Sequence, residues 1–355
     1  FLLIVLGLVV LTGLPWYVGQ IEPDCFTAIT VLCSYLLTFH ARRLGWARGA
    51  LILIIGAFAA STHPSHILLV AGLVVVAGVF KILSIVHHNR PALAHANVTL
   101  PILTALIAVC LIVVSNYELT GKAFFNRTGS VFVFASLLQD GLVTRLLDDE
   151  CPQAHYALCK YKDHLPPTAE RWLWFPESPF NKLGRFKGTA AESQRIVMDI
   201  VRAYPGGLFL STLDDTAHQL VTFRTGDQIE PQEWVLYPDL DRFIPRQMLS
   251  YMDARQQQGR IHFGIVNAID LSVETLAQLG LIWMLAVSVR QRRWNVAILL
   301  GFLGVAIIGN AFICGALSNP HDRYQSRLVW MPVFALALLG ADRLFSLRLK
   351  AESGT

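Results

Sequence analysis

Eight apolar runs divide this chain, and they constrain its fold more than any other feature. The hydrocarbon core of a bilayer is about 30 Å thick, so an apolar helix of about 20 residues crosses it. The runs are residues 1–18, 26–39, 50–61, 67–86, 100–114, 271–289, 296–316 and 328–344. They predict an all-α polytopic membrane protein with about eight transmembrane helices. The second and third runs are short, so they need tilt or flanking residues.

Composition supports the same class of protein. Of 355 residues, 54% are hydrophobic and only 15% are charged, against about 25% charged in soluble domains. The formal net charge of +4 is small, and the basic residues are scattered among short loops. This argues against a nucleic-acid partner and makes the lipid bilayer the expected environment. No P-loop, G-x-S-x-G or H-E-x-x-H motif occurs, which weakens ATPase, serine-hydrolase and zinc-protease interpretations.

Lys and Arg residues cluster in four segments between or after these runs. They are Arg42, Arg43, Arg48, Arg90, Arg290, Arg292, Arg293, Arg343, Arg348 and Lys350. Eight alternating crossings place all four segments on one side, and loops rich in Lys and Arg remain cytoplasmic. We therefore expect a multi-pass protein of a bacterial inner membrane. Residues 61–66, 115–270 and 315–327 then face the periplasm, together with the loop that carries Glu22 and Asp24.

The long polar interval between the fifth and sixth runs has the size of one ordinary domain. We expect residues 1–114 to form membrane helices one to five and residues 115–270 a periplasmic domain. Residues 271–355 then form helices six to eight and a cytoplasmic tail. Apolar residues at helical spacing predict helices over 131–149, 191–204 and 245–259, so the inserted domain should be mainly helical.

Two of the six cysteines, Cys151 and Cys159, lie close together in the inserted interval. A local disulfide there fits an oxidising periplasm, and two unpaired buried thiols are the alternative. The other four lie in or beside the apolar runs, where a cysteine is usually a small apolar core residue. They are Cys25, Cys33, Cys110 and Cys314.

An acidic pair, Glu22 and Asp24, stands at the rim of the second apolar run. Asp24 could be an N-cap or first-turn acid that the helix dipole favours, with Glu22 a solvated loop residue. Alternatively, the pair forms a carboxylate site that binds a metal or takes a proton from an incoming hydroxyl or amine. In this second interpretation, a divalent metal is a possible cofactor.

Two histidines, His63 and His66, flank a proline turn at the same predicted side. They could be interfacial residues of a structural turn. They could also donate to a phosphate or act as a general base, because histidine titrates near neutrality. A zinc site is less favoured because no third ligand is evident.

A third polar stretch, "NPHDRYQSR", directly precedes the last apolar run. It contains His321, Asp322, Arg323 and Arg327, and the two arginines share one face of a helix because they are four residues apart. Guanidinium groups match phosphate oxygens bidentately, so the pair suits the phosphate of a polyprenyl-phosphate donor. The alternative is a basic anchor at the membrane interface, paired with Asp322.

Three stretches, "IEPDCFTAITVLCSYLL", "GAFAASTHPSHILLVAGL" and "HDRYQSRLVWMPVFALALL", together resemble the GT-C superfamily of polytopic glycosyltransferases. The likeness is to its dolichyl-phosphate-mannose mannosyltransferase-like and lipid A sugar transferase-like branches. The family has an earlier outer loop with a catalytic acid, which this chain does not show. We therefore expect its N-terminal part to be missing, and Glu22 and Asp24 to match the family's second acidic position.

The resemblance implies inverting transfer of a sugar from a polyprenyl-phosphate carrier to a periplasmic-side acceptor. Arg323 and Arg327 would hold the carrier phosphate, assisted by His63 or His66. Asp24 or Glu22 would orient or deprotonate the acceptor, or bind a metal.

Two other classes of function remain open. The first is a non-enzymatic structural or accessory subunit of a membrane complex, whose outer domain docks a partner. The second is a transporter, which should bury charges in mid-membrane. We rank the transporter last because the runs are almost free of charge, with Lys81 and Glu274 expected near the ends of their helices.

Overall fold

The computed structural model describes residues 1–20, 22–87, 93, 95–231 and 233–353, and every regular element in them is helical. Arg90 lies outside these residues, as do the side chains of Arg348 and Lys350. The first helices are α1 Leu2–Leu11, α2 Leu14–Val18, α3 Cys25–Phe39, α4 Ala41–Ser61, α5 Pro64–His87 and α6 Thr99–Thr120.

Many shorter helices follow before the chain ends in three long ones. They are α7 Gly129–Gln139, α8 Leu142–Glu150, α9 Ala169–Trp174, α10 Pro179–Lys182, α11 Arg185–Ala203, α12 Pro205–Val221, α13 Glu233–Phe243 and α14 Met248–Met252. Short 3-10 helices cover Ala157–His164 and Pro245–Gln247. The final three are α15 Gly264–Arg290, α16 Trp294–Leu317 and α17 Asp322–Ser353.

Within the described residues, six helices are long and apolar enough to cross a membrane. They are α4, α5, α6, α15, α16 and α17. The number rises to eight if each of two bent pairs is one span, namely α7 with α8 (88°) and α11 with α12 (106°). The prediction of an all-helical, multi-pass membrane protein is therefore confirmed.

The segment 1–18, expected as one spanning helix, forms two helices instead, α1 and α2. Helix α1 has 10 described residues and α2 has five. Thr12 is extended, and Pro15 has no N–H to donate to the Leu11 carbonyl. The freed Gly13 N–H instead donates to Glu274 Oε1 at 3.4 Å. Helix α3 is also short, with 15 residues.

Two of the helices expected in the inserted interval also differ. The segment 131–149 is not one helix, because it bends between α7 and α8 at Gly141, whose φ of +79° disfavours other residues. The segment 245–259 is helical only as Pro245–Gln247 and Met248–Met252. The expected helix at 191–204 falls within α11 and ends with it at Ala203.

Two large apolar clusters stabilise the chain. One lies among the long helices and includes Val31, Leu300 and Leu328, each with 0% of its surface exposed. The other lies among α7 to α11, where Phe134 and Trp172 pack together. Burying a large apolar side chain contributes about 1.5–3 kcal/mol. The inserted segment therefore has a hydrophobic core of its own.

Cys151 and Cys159 form a disulfide at the edge of this second cluster, with their Cα atoms 5.7 Å apart. The other four cysteines are free. Cys33 and Cys314 are buried, as expected for small core residues, whereas Cys110 is exposed.

Helix α12 connects the inserted segment to the membrane bundle by packing on α16. The contact depends on Gly315, because a Cβ atom there would lie 2.6 Å from the backbone oxygen of Asp215. No such separation occurs between a real Cβ and a backbone atom, so a side chain at this position would push the two helices apart.

We expect Gly315→Ala to lower the free energy of unfolding by about 1–3 kcal/mol, the usual cost of overpacking. The matched control is Gly301→Ala in the same helix, where the nearest atom to an added Cβ is Leu285 Cδ1 at 3.9 Å. Thermal unfolding of both variants in detergent checks this. Equal midpoints would contradict the close approach of α12 to α16.

Candidate functional site: a buried ion-pair network

Asp24 stands immediately before α3, at the N-cap position, yet its side chain makes no capping hydrogen bond. The carboxylate turns inward and is almost fully buried, with 4% of the residue exposed. A buried carboxylate needs a partner, because transferring a charge out of water is costly. The simple N-cap interpretation of Asp24 is therefore wrong.

The partner of Asp24 is Arg327, from the first turns of α17. Arg327 Nη1 donates to Asp24 Oδ1 at 2.6 Å, and only 2% of this arginine is exposed. Its Nη2 donates to Asn310 Oδ1 at 2.8 Å and approaches Cys314 Sγ at 3.1 Å. These contacts join α3, α16 and α17 at one end of the bundle, which we call the ion-pair end.

A second pair, Glu22 with Arg323, lies beside the first and closer to the surface. Arg323 Nη1 donates to Glu22 Oε2 at 2.8 Å and lies 3.9 Å from Asp24 Oδ2. The Arg323 and Glu22 side chains are 20% and 29% exposed, against 1% and 5% for Arg327 and Asp24. The network therefore runs from a buried pair to a pair that solvent reaches.

The two carboxylates respond oppositely to this environment. Burial, against the opposing charge of Arg323, raises the pKa of Glu22, and the negative charge of Asp24 adds to the rise. Burial would also raise the pKa of Asp24, but the charges of Arg327 and Arg323 outweigh it and hold that pKa below its usual value. Glu22 is thus the better proton acceptor, and Asp24 remains a fixed negative charge.

His63 and His66 adjoin this network with their rings 5.7 Å apart, but neither forms an ion pair with it within the described residues. His66 is completely buried, between Thr27 Oγ1 at 2.7 Å from Nε2 and the Ala59 carbonyl at 3.0 Å from Nδ1. His63 Nδ1 faces Ser65 Oγ at 2.7 Å. Burial and the charge of Arg327 lower the pKa of His63 to about 4, so its ring is neutral at pH 7.

Among the described residues, Asp322 forms no ion pair with Arg323 or Arg327, which pair with Glu22 and Asp24, so the interpretation of a basic anchor paired with Asp322 is wrong. Its Oδ1 instead accepts from the backbone N–H of Arg224 at 2.6 Å. His321 Nδ1 lies 3.5 Å from Asp227 Oδ2, which also accepts from the Arg323 N–H at 3.1 Å. Residues 222–229 form a loop that we call the clasp loop. Asp322 and His321 hold this loop against the start of α17 through Arg224 and Asp227.

Several members of the network were missed from the sequence. Asn310 donates to the Tyr324 carbonyl at 2.6 Å and to Gln325 Oε1 at 2.8 Å. Tyr17 and Ser326 share a hydrogen bond of 2.5 Å between their hydroxyl oxygens. A polar side chain inside an apolar run, such as Asn310, is the signal that could have revealed the site.

The clasp loop also covers a second acidic group. Thr225 Oγ1 donates to Asp270 Oδ2 at 2.8 Å, and Glu274 on the same helix is completely buried. Helix α15 begins at Gly264, so Glu274 lies inside this helix, and the expectation that it stands near an end is wrong.

Removing one partner of the buried pair should be strongly destabilising. We expect Arg327→Met to lower the free energy of unfolding by about 3–5 kcal/mol, because the Asp24 carboxylate then stays buried without a counter-charge. Arg323→Met is the matched control and should cost about 1 kcal/mol or less, because its pair is partly exposed. The double variant Asp24→Asn/Arg327→Met should recover stability over Arg327→Met alone. Additive losses in thermal unfolding would contradict the pairing.

The same pair should give stability a defined pH dependence. The folded-state pKa of Asp24 lies below the unfolded value of 3.8, so its stabilisation is complete above that pH and is lost as the pH falls through the folded-state pKa. We expect the unfolding midpoints of the wild type and Asp24→Asn to differ at pH 6, and the difference to shrink as the pH falls below 3.8. A difference that stays constant over this range would contradict an ionised Asp24.

Within the described residues, no group of three or more His, Cys, Asp or Glu gathers to hold a metal ion. Comparisons of the chain with protein-family models, curated proteins and solved structures find no match.

Proposed function

We propose that this protein is a glycosyltransferase of a bacterial inner membrane. It moves a sugar from a polyprenyl-phosphate donor to an acceptor on the periplasmic side. One observation carries the proposal: Glu22, a partly exposed carboxylate with a raised pKa, pairs with the partly exposed guanidinium of Arg323. This pair lies beside the buried ion pair, on its solvent side. A base beside a phosphate-binding cation is what displacement of a phosphate leaving group requires.

The distribution of basic residues supports the orientation. Arg42 and Arg43 follow α3, whereas Asp24 precedes it, so they lie at opposite ends of that helix. Arg290, Arg292 and Arg293 connect α15 and α16 away from the ion-pair end. By the positive-inside rule, the arginine-rich end is cytoplasmic and the ion-pair end is periplasmic.

Arg323 is the group that meets the donor phosphate. Its Nη1 binds Glu22 in the free protein, so an arriving phosphate oxygen competes with Glu22 for the same N–H donor. Exchange of these partners binds the phosphate and releases Glu22 from its counter-charge, which favours protonation of that carboxylate. Arg327 is too buried to meet a phosphate directly, and it acts by holding Asp24.

The transfer step is then a single displacement. The acceptor oxygen forms a bond to the anomeric carbon while the bond from that carbon to the phosphate oxygen breaks. The leaving phosphate takes the bonding electron pair beside Arg323, and the acceptor proton passes to Glu22. Asp24 Oδ2 is buried and accepts no hydrogen bond within the described residues, so Asp24 acts from inside the protein, by holding Arg327 and by attracting Arg323 at 3.9 Å.

The remaining polar residues act as positioning residues. His66 joins α5 to α3 through Thr27 and fixes the helix that follows Asp24. His321 and Asp322 hold the clasp loop and thereby the start of the helix that carries Arg323. Neutral His63, close to Asp24, is available to donate through its Nε2–H to a phosphate oxygen.

The test replaces the proposed base without changing its shape. We expect Glu22→Gln to lower the yield of transferred glycan at least about 100-fold, the usual lower bound for losing a general base. The readout is mass spectrometry of glycolipids and surface glycans from cells that express each variant at equal membrane level. Glu230→Gln, an exposed carboxylate of the adjoining loop, is the matched control and should have no effect. Normal products with Glu22→Gln would refute the role of Glu22, and unchanged products after deletion of the protein would refute the activity.

A second candidate function is an accessory subunit of a membrane complex. Two observations favour it: the buried Arg327 forms its ion pair with Asp24 inside the protein, and α12 has a row of exposed large apolar side chains. They are Phe209, Leu210, Leu213 and Val221, exposed by 51–72%. A partner helix that covers this row would stabilise the complex by apolar burial.

The two candidates respond differently to the same variants. If the protein is an accessory subunit, Phe209→Ser with Leu213→Ser should abolish co-purification of a membrane partner, whereas Glu22→Gln should not. The measurement is quantitative mass spectrometry of proteins retained with the tagged protein in mild detergent. If the double variant retains the same proteins as the wild type, α12 is not a partner surface.

A further inference from the structure

A cavity of about 530 Å³ lies at the end of the bundle opposite the ion pairs, within the size range of ligand sites. Its polar wall includes Arg42, Arg43, Lys81 and His95, and its apolar wall includes Phe39. These residues come from the end of α3, the start of α4, the last turns of α5 and the segment before α6. Distant parts of the chain thus bring three full positive charges to one space.

The positive charges in this cavity have no acidic partner within the part of the chain that the structure describes. None of the described residues that line it is Asp or Glu, and none of the ion pairs formed by described residues includes Arg42, Arg43 or Lys81. Among the described residues, Lys81 Nζ donates to the Ala96 carbonyl at 2.8 Å, and an ammonium group has three N–H donors. Clustered cations without counter-ions repel one another, so an anion in the cavity would be bound favourably.

The local backbone builds this arrangement. Gly45 has a φ of +74°, and this break turns the segment with Arg42 and Arg43 away from the axis of the remaining α4. The Asn97 N–H donates to the Thr38 carbonyl at 2.7 Å, which ties the segment before α6 to the end of α3. Asn97 is therefore held at the end of α3, beside the segment with Arg42 and Arg43.

The surroundings place the cavity at a membrane surface. Trp46, directly after the glycine break, is 88% exposed, and tryptophan is enriched where lipid headgroups meet the hydrocarbon. Phe80 and Ile82 flank Lys81 and are 45% and 62% exposed. A ligand held by Lys81 would therefore have apolar protein surface beside it, as an acyl chain requires.

We propose that this cavity binds a phosphate group, carried by an anionic phospholipid of the leaflet at this end of the bundle. Arg42, Arg43 and Lys81 contact the phosphate oxygens, and the acyl chains lie along the exposed apolar face of α5. Basic pockets between membrane helices bind anionic headgroups in this way. The inference is independent of the proposed transferase activity, because it concerns the other end of the protein.

The experiment uses the full chain in neutral detergent and isothermal titration calorimetry. Three probes at matched ionic strength separate the sources: dihexanoyl phosphatidylglycerol, inorganic phosphate and zwitterionic dihexanoyl phosphatidylcholine. We expect phosphatidylglycerol to bind most tightly. Lys81→Gln and Arg43→Gln should each weaken it about fivefold, the factor for about 1 kcal/mol per basic residue near a charged surface. Arg48→Gln removes the same charge from the same helix, but beyond the Gly45 break and outside the cavity lining, and should leave the affinity unchanged.

The outcomes distinguish a lipid from a soluble phosphate compound as the ligand, and two of them would contradict the site. Inorganic phosphate that binds as tightly as phosphatidylglycerol would assign the cavity to a soluble phosphate compound and overturn the lipid source. Equal binding of phosphatidylcholine, or equal affinities for Arg43→Gln and Arg48→Gln, would overturn the site itself. If Lys81→Gln unfolds because the Ala96 contact is lost, the exposed Arg43 decides alone.

Discussion

The buried ion pair between Asp24 and Arg327 is the interaction on which the rest of this structure depends. Its partners are 303 residues apart in the chain and both nearly inaccessible to water. Desolvating two such charges costs several kcal/mol per ion, which is recovered only with short contacts and further hydrogen bonds. Asn310 supplies one of these from α16. The pair therefore fixes α3 and α17 in one register, and shifting either helix would leave a charge buried without a partner.

The polar residues around the pair extend this constraint outward. The clasp loop ties the start of α17 to α15 through Asp227 and Thr225, and the break after α1 exposes a backbone N–H that Glu274 accepts. The solvent exposure of the charged residues thus increases from the buried pair, Asp24 and Arg327, to the partly exposed pair, Glu22 and Arg323. The proposed transferase activity rests on this arrangement, in which a buried ion pair supports a partly exposed carboxylate and guanidinium.

The two ends of the bundle treat charge in opposite ways. At the ion-pair end, each arginine of the network faces a carboxylate, so the site is close to neutral before any ligand arrives. At the other end, Arg42, Arg43 and Lys81 share a cavity whose described lining holds no acid. The first arrangement favours exchange of one partner for another, whereas the second favours simple capture of an anion. This difference separates a catalytic proposal from a lipid-binding one.

Hydrophobic pattern alone determined the class of protein and the position of the long helices, because an apolar run in lipid must satisfy its backbone groups as a helix. It also placed Glu22, Asp24, Arg323 and Arg327 at helix ends. The break at Thr12–Gly13 and the bend at Gly141 were decided by the tertiary structure, since local hydropathy does not indicate them. The tertiary structure also decided that Asp24, and not Asp322, is the partner of Arg327. That choice depends on contacts between helices distant in the chain, and only packing brings those together.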